Sequence, residues 1–115
     1  MNELELKMRT KKFALRILKL SRAMPKTDDG RIIAKQLIRA GTSVGANYRA
    51  ACRGRSKAEF ISKLGIVEEE ADECAFWLEI IIEAGMLKAR RVASLLQEAN
   101  ELTAIMVASR KGASR

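Results

Sequence analysis

Apolar side chains return along this chain at intervals of three and four residues, the repeat that places them on one side of an α-helix. In the first such stretch Leu6, Thr10, Phe13, Ile17, Leu20 and Met24 form the stripe, while Lys12, Arg16, Lys19 and Arg22 fall on or near the opposite side. The pattern predicts an amphipathic helix over about 3–23, stopped by Pro25. The loop Lys26-Thr27-Asp28-Asp29-Gly30 supplies Thr27 or Asp28 as an N-cap, and the two aspartates suit the positive end of the next helix. That helix is predicted over about 29–52, with Ile33, Leu37, Ala40, Val44 and Ala51 inward and Gly54 as a left-handed terminator.

Its second half is unusually small: Gly41 and Gly45 sit among Ala40, Ser43, Ala46, Ala50 and Ala51. Each glycine costs a helix about 1 kcal/mol relative to alanine, so a loop competes with the helix here. In the helical reading, small residues let a neighbouring backbone approach closely, within the chain or between subunits. The third helix has the clearest start. Ser56-Lys57-Ala58-Glu59 is a capping box. From there Phe60, Leu64, Val67, Ala71, Cys74, Leu78 and Ile81 alternate spacings of four and three, the seam of helices packed at shallow angles. This helix should run over about 56–84 and stop at Gly85. A fourth, over about 88–109, turns Val92, Leu95, Leu96, Ala99, Leu102, Ile105 and Met106 inward, leaving 110–115 as a frayed basic tail. Connections this short return each helix antiparallel to the last. The expected fold is all-α, a single up-down-up-down antiparallel four-helix bundle about 30 Å long by the helical rise.

Composition then removes most chemistry. The 115-residue chain has no histidine and only two cysteines, Cys52 and Cys74. Ser–His–Asp and Cys–His catalysis, the common zinc sites and Glu-x-x-His di-iron sites are excluded. A helical nuclease would lack its usual general base. The chain is therefore expected to be non-enzymatic, with no catalytic residues, cofactor or metal. The cysteines, too few for a disulfide framework, are expected as small core residues of a cytoplasmic protein. No apolar run is long enough for a membrane span, and the amino terminus lacks the apolar stretch of a signal peptide.

Charge adds a direction. The formal net charge is +8. Residues 1–57 carry 15 Lys/Arg against 4 Asp/Glu, residues 58–87 carry 1 against 8, and residues 88–115 carry 6 against 2. Pairing of Glu68, Glu69, Glu70, Asp72 and Glu73 with cations of the first two helices would still leave a basic outer surface, which suits RNA or DNA; consecutive positions on a helix diverge, so these five acids do not form a metal site. The best candidate contact is the turn Arg49, Arg53, Arg55 and Lys57, with Lys12, Arg16 and Lys19 on the first helix; a merely solvated surface turn is the alternative. Arg39, ten residues before Arg49, falls on a different face. Tyr48 is the lone aromatic in the basic region and is expected as half-buried packing, so stacking of single strands has little support. Ser43 and Asn47, one turn apart, could meet Glu73 in a structural hydrogen-bond set. Phe76, Trp77 and Ile80 widen the apolar surface of the third helix, either as an oligomer interface or as a broad core.

The stretch GTSVGANYRAACRGRSKAEF resembles the bacterial four-helix bundle family, also known as S23 or 23S ribosomal RNA intervening-sequence proteins. The resemblance rests on Ser43, Asn47, Arg53-Gly54-Arg55, Ser56-Lys57-Ala58-Glu59-Phe60 and Glu73, and extends from about Phe13 to Leu102. The chain departs from it at Arg49-Ala50-Ala51-Cys52 and Glu69-Glu70, where many relatives carry Glu-Gly and Gly-Ser. It implies the same bundle, no enzymatic activity, and self-association, often as a pentamer. Related accessory proteins of diversity-generating retroelements imply a basic protein that binds nucleic acid and a reverse transcriptase.

Overall fold

The computed structural model describes residues 1–115 as four helices: α1 Glu3–Arg22, α2 Asp28–Cys52, α3 Lys57–Glu83 and α4 Ala89–Ala113. Each packs on its neighbours in sequence, and α1 meets α4 to close the bundle. The long dimension is 45 Å rather than the expected 30 Å, because a 27-residue helix such as α3 is itself about 40 Å long.

Three of the four helix starts are capped by side chains. Asn2 accepts the Glu5 N–H at 2.8 Å, Thr27 that of Gly30 at 3.2 Å, and Ser56 that of Glu59 at 3.1 Å. The returning arm of the expected capping box lands one residue early: Glu59 accepts the N–H of Arg55, at 3.4 Å. At the far end of α3, Gly85 adopts φ +69° and a Schellman turn closes, with Met86 N–H on Ile81 C=O and Gly85 N–H on Ile82 C=O, both 3.0 Å. Gly54 does not play that part after α2. Gly85 is the one residue with positive φ, whereas at Gly54 the constraint is space, since a Cβ there would lie 3.0 Å from the Ala51 carbonyl oxygen. Nor does the carboxyl end fray from residue 110. Helix α4 continues to Ala113, and Arg110 is anchored to Glu68 of α3 at 3.0 Å.

The core follows the seams. All six positions of the α1 stripe are buried, as are Leu64, Val67, Ala71, Cys74, Leu78 and Ile81 of α3, while Phe60 lies half-buried at its edge. Two hydroxyls are buried within the helices: Thr10 donates to the Leu6 carbonyl at 2.9 Å and Ser21 to that of Ile17 at 2.8 Å. No buried side-chain polar atom lacks a partner. The small-residue half of α2 is helical throughout. A Cβ on Gly41 would stand 2.8 Å from both γ-carbons of Ile17, and one on Gly45 would stand 3.4 Å from the Thr10 backbone. The close approach is therefore between α1 and α2 of the same chain.

Candidate nucleic-acid interface

Helix α2 ends, and α3 begins, in a concavity that gathers Arg49, Arg53 and Arg55 with Lys63 around Ala46 and Ala50. Arg49 projects from the last turn of α2, Arg53 caps it, Arg55 lies in the connection and Lys63 on the second turn of α3. Glu59 is the one carboxylate in the concavity, and it forms no ion pair with these cations. Three guanidinium groups and an ammonium remain free to meet anionic oxygens, for which the planar arginine fork is well shaped.

Lys57 does not join them. Its Nζ donates to the backbone carbonyl oxygen of Arg115 at 3.1 Å, and its side chain lines a separate groove with Glu3, Tyr48, Cys52 and Phe60. Lys63, two turns into α3, takes its place; it is the lone cation of the acidic segment and lies one turn beyond Glu59. On α1, Lys12 and Lys19 are exposed and unpaired, whereas Arg16 donates to Ser94 of α4 at 3.0 Å. Nothing in the structure brings these three to the Arg49 concavity.

The expected Ser–Asn–Glu set divides. Asn47 donates to the Ser43 carbonyl at 2.9 Å and to its hydroxyl at 2.8 Å, forming the α2 half. Glu73 instead pairs with Arg39 of α2 and accepts the Trp77 indole N–H at 3.0 Å. Burial pushes the Glu73 carboxyl up, but Trp77 and Arg39 outweigh it and hold the group below its ordinary value. Arg39 also meets Glu70 at 3.2 Å. The acidic segment thus pairs with α2 and, through Glu68 and Arg110, with α4, not with α1; Glu69 and Asp72 stay unpaired. Arg9 of α1 makes its own bridge to α4, 2.6 Å from Glu98 and 3.0 Å from Glu101.

Ion pairs occupy only five of the 22 lysine and arginine side chains. The basic surplus is a property of the surface. No cluster of carboxylates and thiols is arranged to hold a metal ion. Cys74 is buried, its thiol pushed up to about 12 by desolvation. Cys52 is half-buried and raised by desolvation and by Glu3. Tyr48 is buried rather than half-buried, and desolvation with Cys52 raises its hydroxyl. No helix is long and apolar enough to cross a membrane.

Of the three apolar candidates on α3, Phe76 is 52% exposed, while Trp77 packs against the core and Ile80 is half-buried. The Phe76 ring meets Trp77 edge-on at 5.0 Å. Pattern reading missed the outer stripe of α1, where Leu4, Met8 and Leu15 are each at least 60% exposed. Their spacing of four and seven is the signal of a second apolar face opposite the core stripe.

The model of the 23S rRNA-intervening sequence protein family matches residues 2–108. The chain belongs to that family. A crystal structure of a family S23 protein of unknown function, from Bacteroides thetaiotaomicron VPI-5482, superimposes with a TM-score of 0.88 at 32% identity, covering 96% of this chain and 99% of that one. No curated protein matches the chain. Membership agrees with the four-helix architecture. It assigns this chain no activity.

Proposed function

We propose that this family member is a non-enzymatic, self-associating bundle that binds the phosphate backbone of RNA or DNA. The observation that carries the reading is the concavity of Arg49, Arg53, Arg55 and Lys63, in which no cation is neutralised by an ion pair. Contacts of that kind position a polyanion without reading its bases. Binding should be salt-sensitive, because each phosphate neutralised on a duplex contributes a slope of about −0.9 in log K against log salt. The exposed Phe76, Leu4, Met8 and Leu15 support self-association, for which a pentamer is the form that the family resemblance implies.

Fluorescence anisotropy of labelled RNA and DNA duplexes between about 50 and 200 mM salt tests the binding. The expected result is a linear fall in log K, shallower in the Arg49→Ala/Arg53→Ala/Arg55→Ala variant by about 0.9 for each phosphate that the variant no longer neutralises. Salt-independent affinity, or an unchanged slope in the variant, refutes it. Light scattering across a concentration series tests self-association, and a strict monomer refutes that part.

A second reading draws on α3. Phe76 is exposed among Glu69, Asp72, Glu79 and Glu83, none of them ion-paired. An acidic face with an aromatic centre would dock a basic protein surface, such as that of a reverse transcriptase to which this chain is an accessory subunit. Co-purification that survives nuclease treatment and is lost in Phe76→Asp favours it; retention of the complex by that variant excludes it.

A further inference from the structure

Arg31, Lys35, Thr42, Ala46, Arg49 and Arg53 succeed one another on α2 at steps of three, four or seven residues, so they share one face of the helix. All six are exposed. The cations stand at the two ends of this face and the short uncharged side chains in the middle. At the α1–α2 end, Arg31 and Lys35 rim a cleft of about 360 Å³ with Arg22 and Lys26. At the other end Arg49 and Arg53 enter the concavity with Arg55 and Lys63. Arg39 lies at the edge of the face, turned to α3 by Glu70 and Glu73. Two carboxylates accompany the first end. Asp28 stands 3.6 Å from Arg31, and Asp29 accepts from Thr27 and from the Gly30 N–H. Glu59 accompanies the second. Each end remains net cationic.

From Arg31 to Arg53 the face is about 33 Å long by the helical rise. Phosphates of one strand that face the same way recur along a B-form DNA duplex about every 34–36 Å. A duplex is stiff over that length, its persistence length being about 150 base pairs. Tyr48, the aromatic side chain nearest the basic turn in sequence, is buried and offers no stacking surface to a single strand. We infer that the outer face of α2 is a track for double-helical nucleic acid, gripping one strand at phosphates a full turn apart, with Thr42 and Ala46 letting the duplex lie close between them. The inference rests on the backbone binding proposed above, and adds a second cationic end, a duplex ligand and a length requirement. The two ends lie several screening lengths apart at physiological salt, where that length is about 8 Å. A duplex too short to span them gains from one end alone, and a longer one gains from both through effective concentration.

The experiment measures affinity of the full chain for blunt duplexes of 6, 8, 12 and 16 base pairs, in RNA and DNA series, for the native protein, Arg31→Ala/Lys35→Ala and Arg49→Ala/Arg53→Ala. The native protein should show a rise of about tenfold or more between 8 and 12 base pairs, beyond the gain from added binding positions. Either double variant should abolish that step while still binding the shortest duplex through its intact end. These residues are exposed, and an unchanged unfolding midpoint verifies the fold. A step in either polymer that depends on both ends supports the track. Affinity that grows only in proportion to length, or a step that survives Arg31→Ala/Lys35→Ala, overturns it and leaves the Arg49 site standing. Absence of binding at every length removes the underlying reading as well.

Discussion

Gly41 and Gly65 permit the same substitution to be tried in two opposite environments. Both are interior to long helices, where glycine to alanine stabilises by about 1 kcal/mol through propensity alone. At Gly65 the new methyl group meets nothing within 4 Å. At Gly41 it meets Cγ1 and Cγ2 of Ile17, each at 2.8 Å, and Cβ at 3.0 Å. Carbon atoms pack best at about 3.5–4.0 Å, so two contacts are too close by most of an ångström. Ile17 is fully buried and β-branched, and the clashing atoms are attached directly to its Cβ rather than at the end of a flexible chain. The strain is relieved only by moving α1 away from α2. Overpacking of this kind costs about 1–3 kcal/mol, and the double clash places Gly41→Ala in the upper half of that range. Subtracting the propensity gain leaves a net loss of about 1–2 kcal/mol, or a fall in Tm of about 4–8 °C at this chain length. Gly65→Ala should raise Tm by about 4 °C.

Thermal and urea unfolding at one fixed protein concentration would measure both. Ile17→Ala provides the control: with the γ-carbons gone, Gly41→Ala should cost less in that background than in the native one, a coupling visible in a double-mutant cycle. Equal or greater stability of Gly41→Ala than of the native protein would refute the close approach of α1 and α2 at this point.

Because the Glu73 carboxyl is held below its ordinary value, its contribution to stability is present above about pH 4.3 and drains away as the pH falls through the folded value. Glu73→Gln should flatten that acid limb, and Trp77 fluorescence, reporting on the indole bound to Glu73, should change over the same range; an acid limb identical to the native one refutes the assignment. In thiol labelling of the native protein, half-buried Cys52 should react before Cys74, whose thiol stays protonated at neutral pH, and both should react at comparable rates in denaturant. Equal rates in the folded state would contradict the burial of Cys74.

The seams are legible in the sequence because each helix has one side that excludes water, and a repeat of 3.6 residues reports that side directly. Thr10 shows how far this goes: a polar residue in the α1 stripe is buried like its neighbours, its hydroxyl satisfied by the Leu6 carbonyl. Features that depend on pairing between helices are less legible. The expected meeting of Glu73 with Asn47 overlooks the count from the turn. Asn47 lies seven residues before Gly54 and Glu73 nineteen after it, so antiparallel pairing carries Glu73 past Asn47 to the level of Arg39, eight residues or about 12 Å along α2 from Asn47. Lys57 belongs to the basic turn in sequence yet opens α3 rather than closing α2, and its side chain reaches the carboxyl end of α4. The end of α4 departs from expectation for a similar reason. Lys111 and Gly112 alone suggest fraying, whereas the Arg110–Glu68 bridge that holds the last turns is 42 residues away in sequence.

The same separation between core and surface explains how one small bundle could both self-associate and hold a polyanion. The outer stripe of α1 exposes Leu4, Met8 and Leu15, and the outer face of α3 exposes Phe76 among carboxylates. The outer face of α2 carries a single large exposed apolar side chain, Ile32. Burying α1 and α3 surfaces between copies would therefore leave α2 open. In the proposed reading, a phosphate backbone bound there stabilises the folded chain by RT ln(1 + L/Kd), where L is the free ligand concentration, an effect that grows with L. Packing makes little demand on Arg31, Lys35, Arg49 and Arg53, which are exposed and, apart from the loose contact of Arg31 with Asp28, unpaired. In the proposed reading it is the duplex, not the core, that makes use of their arrangement.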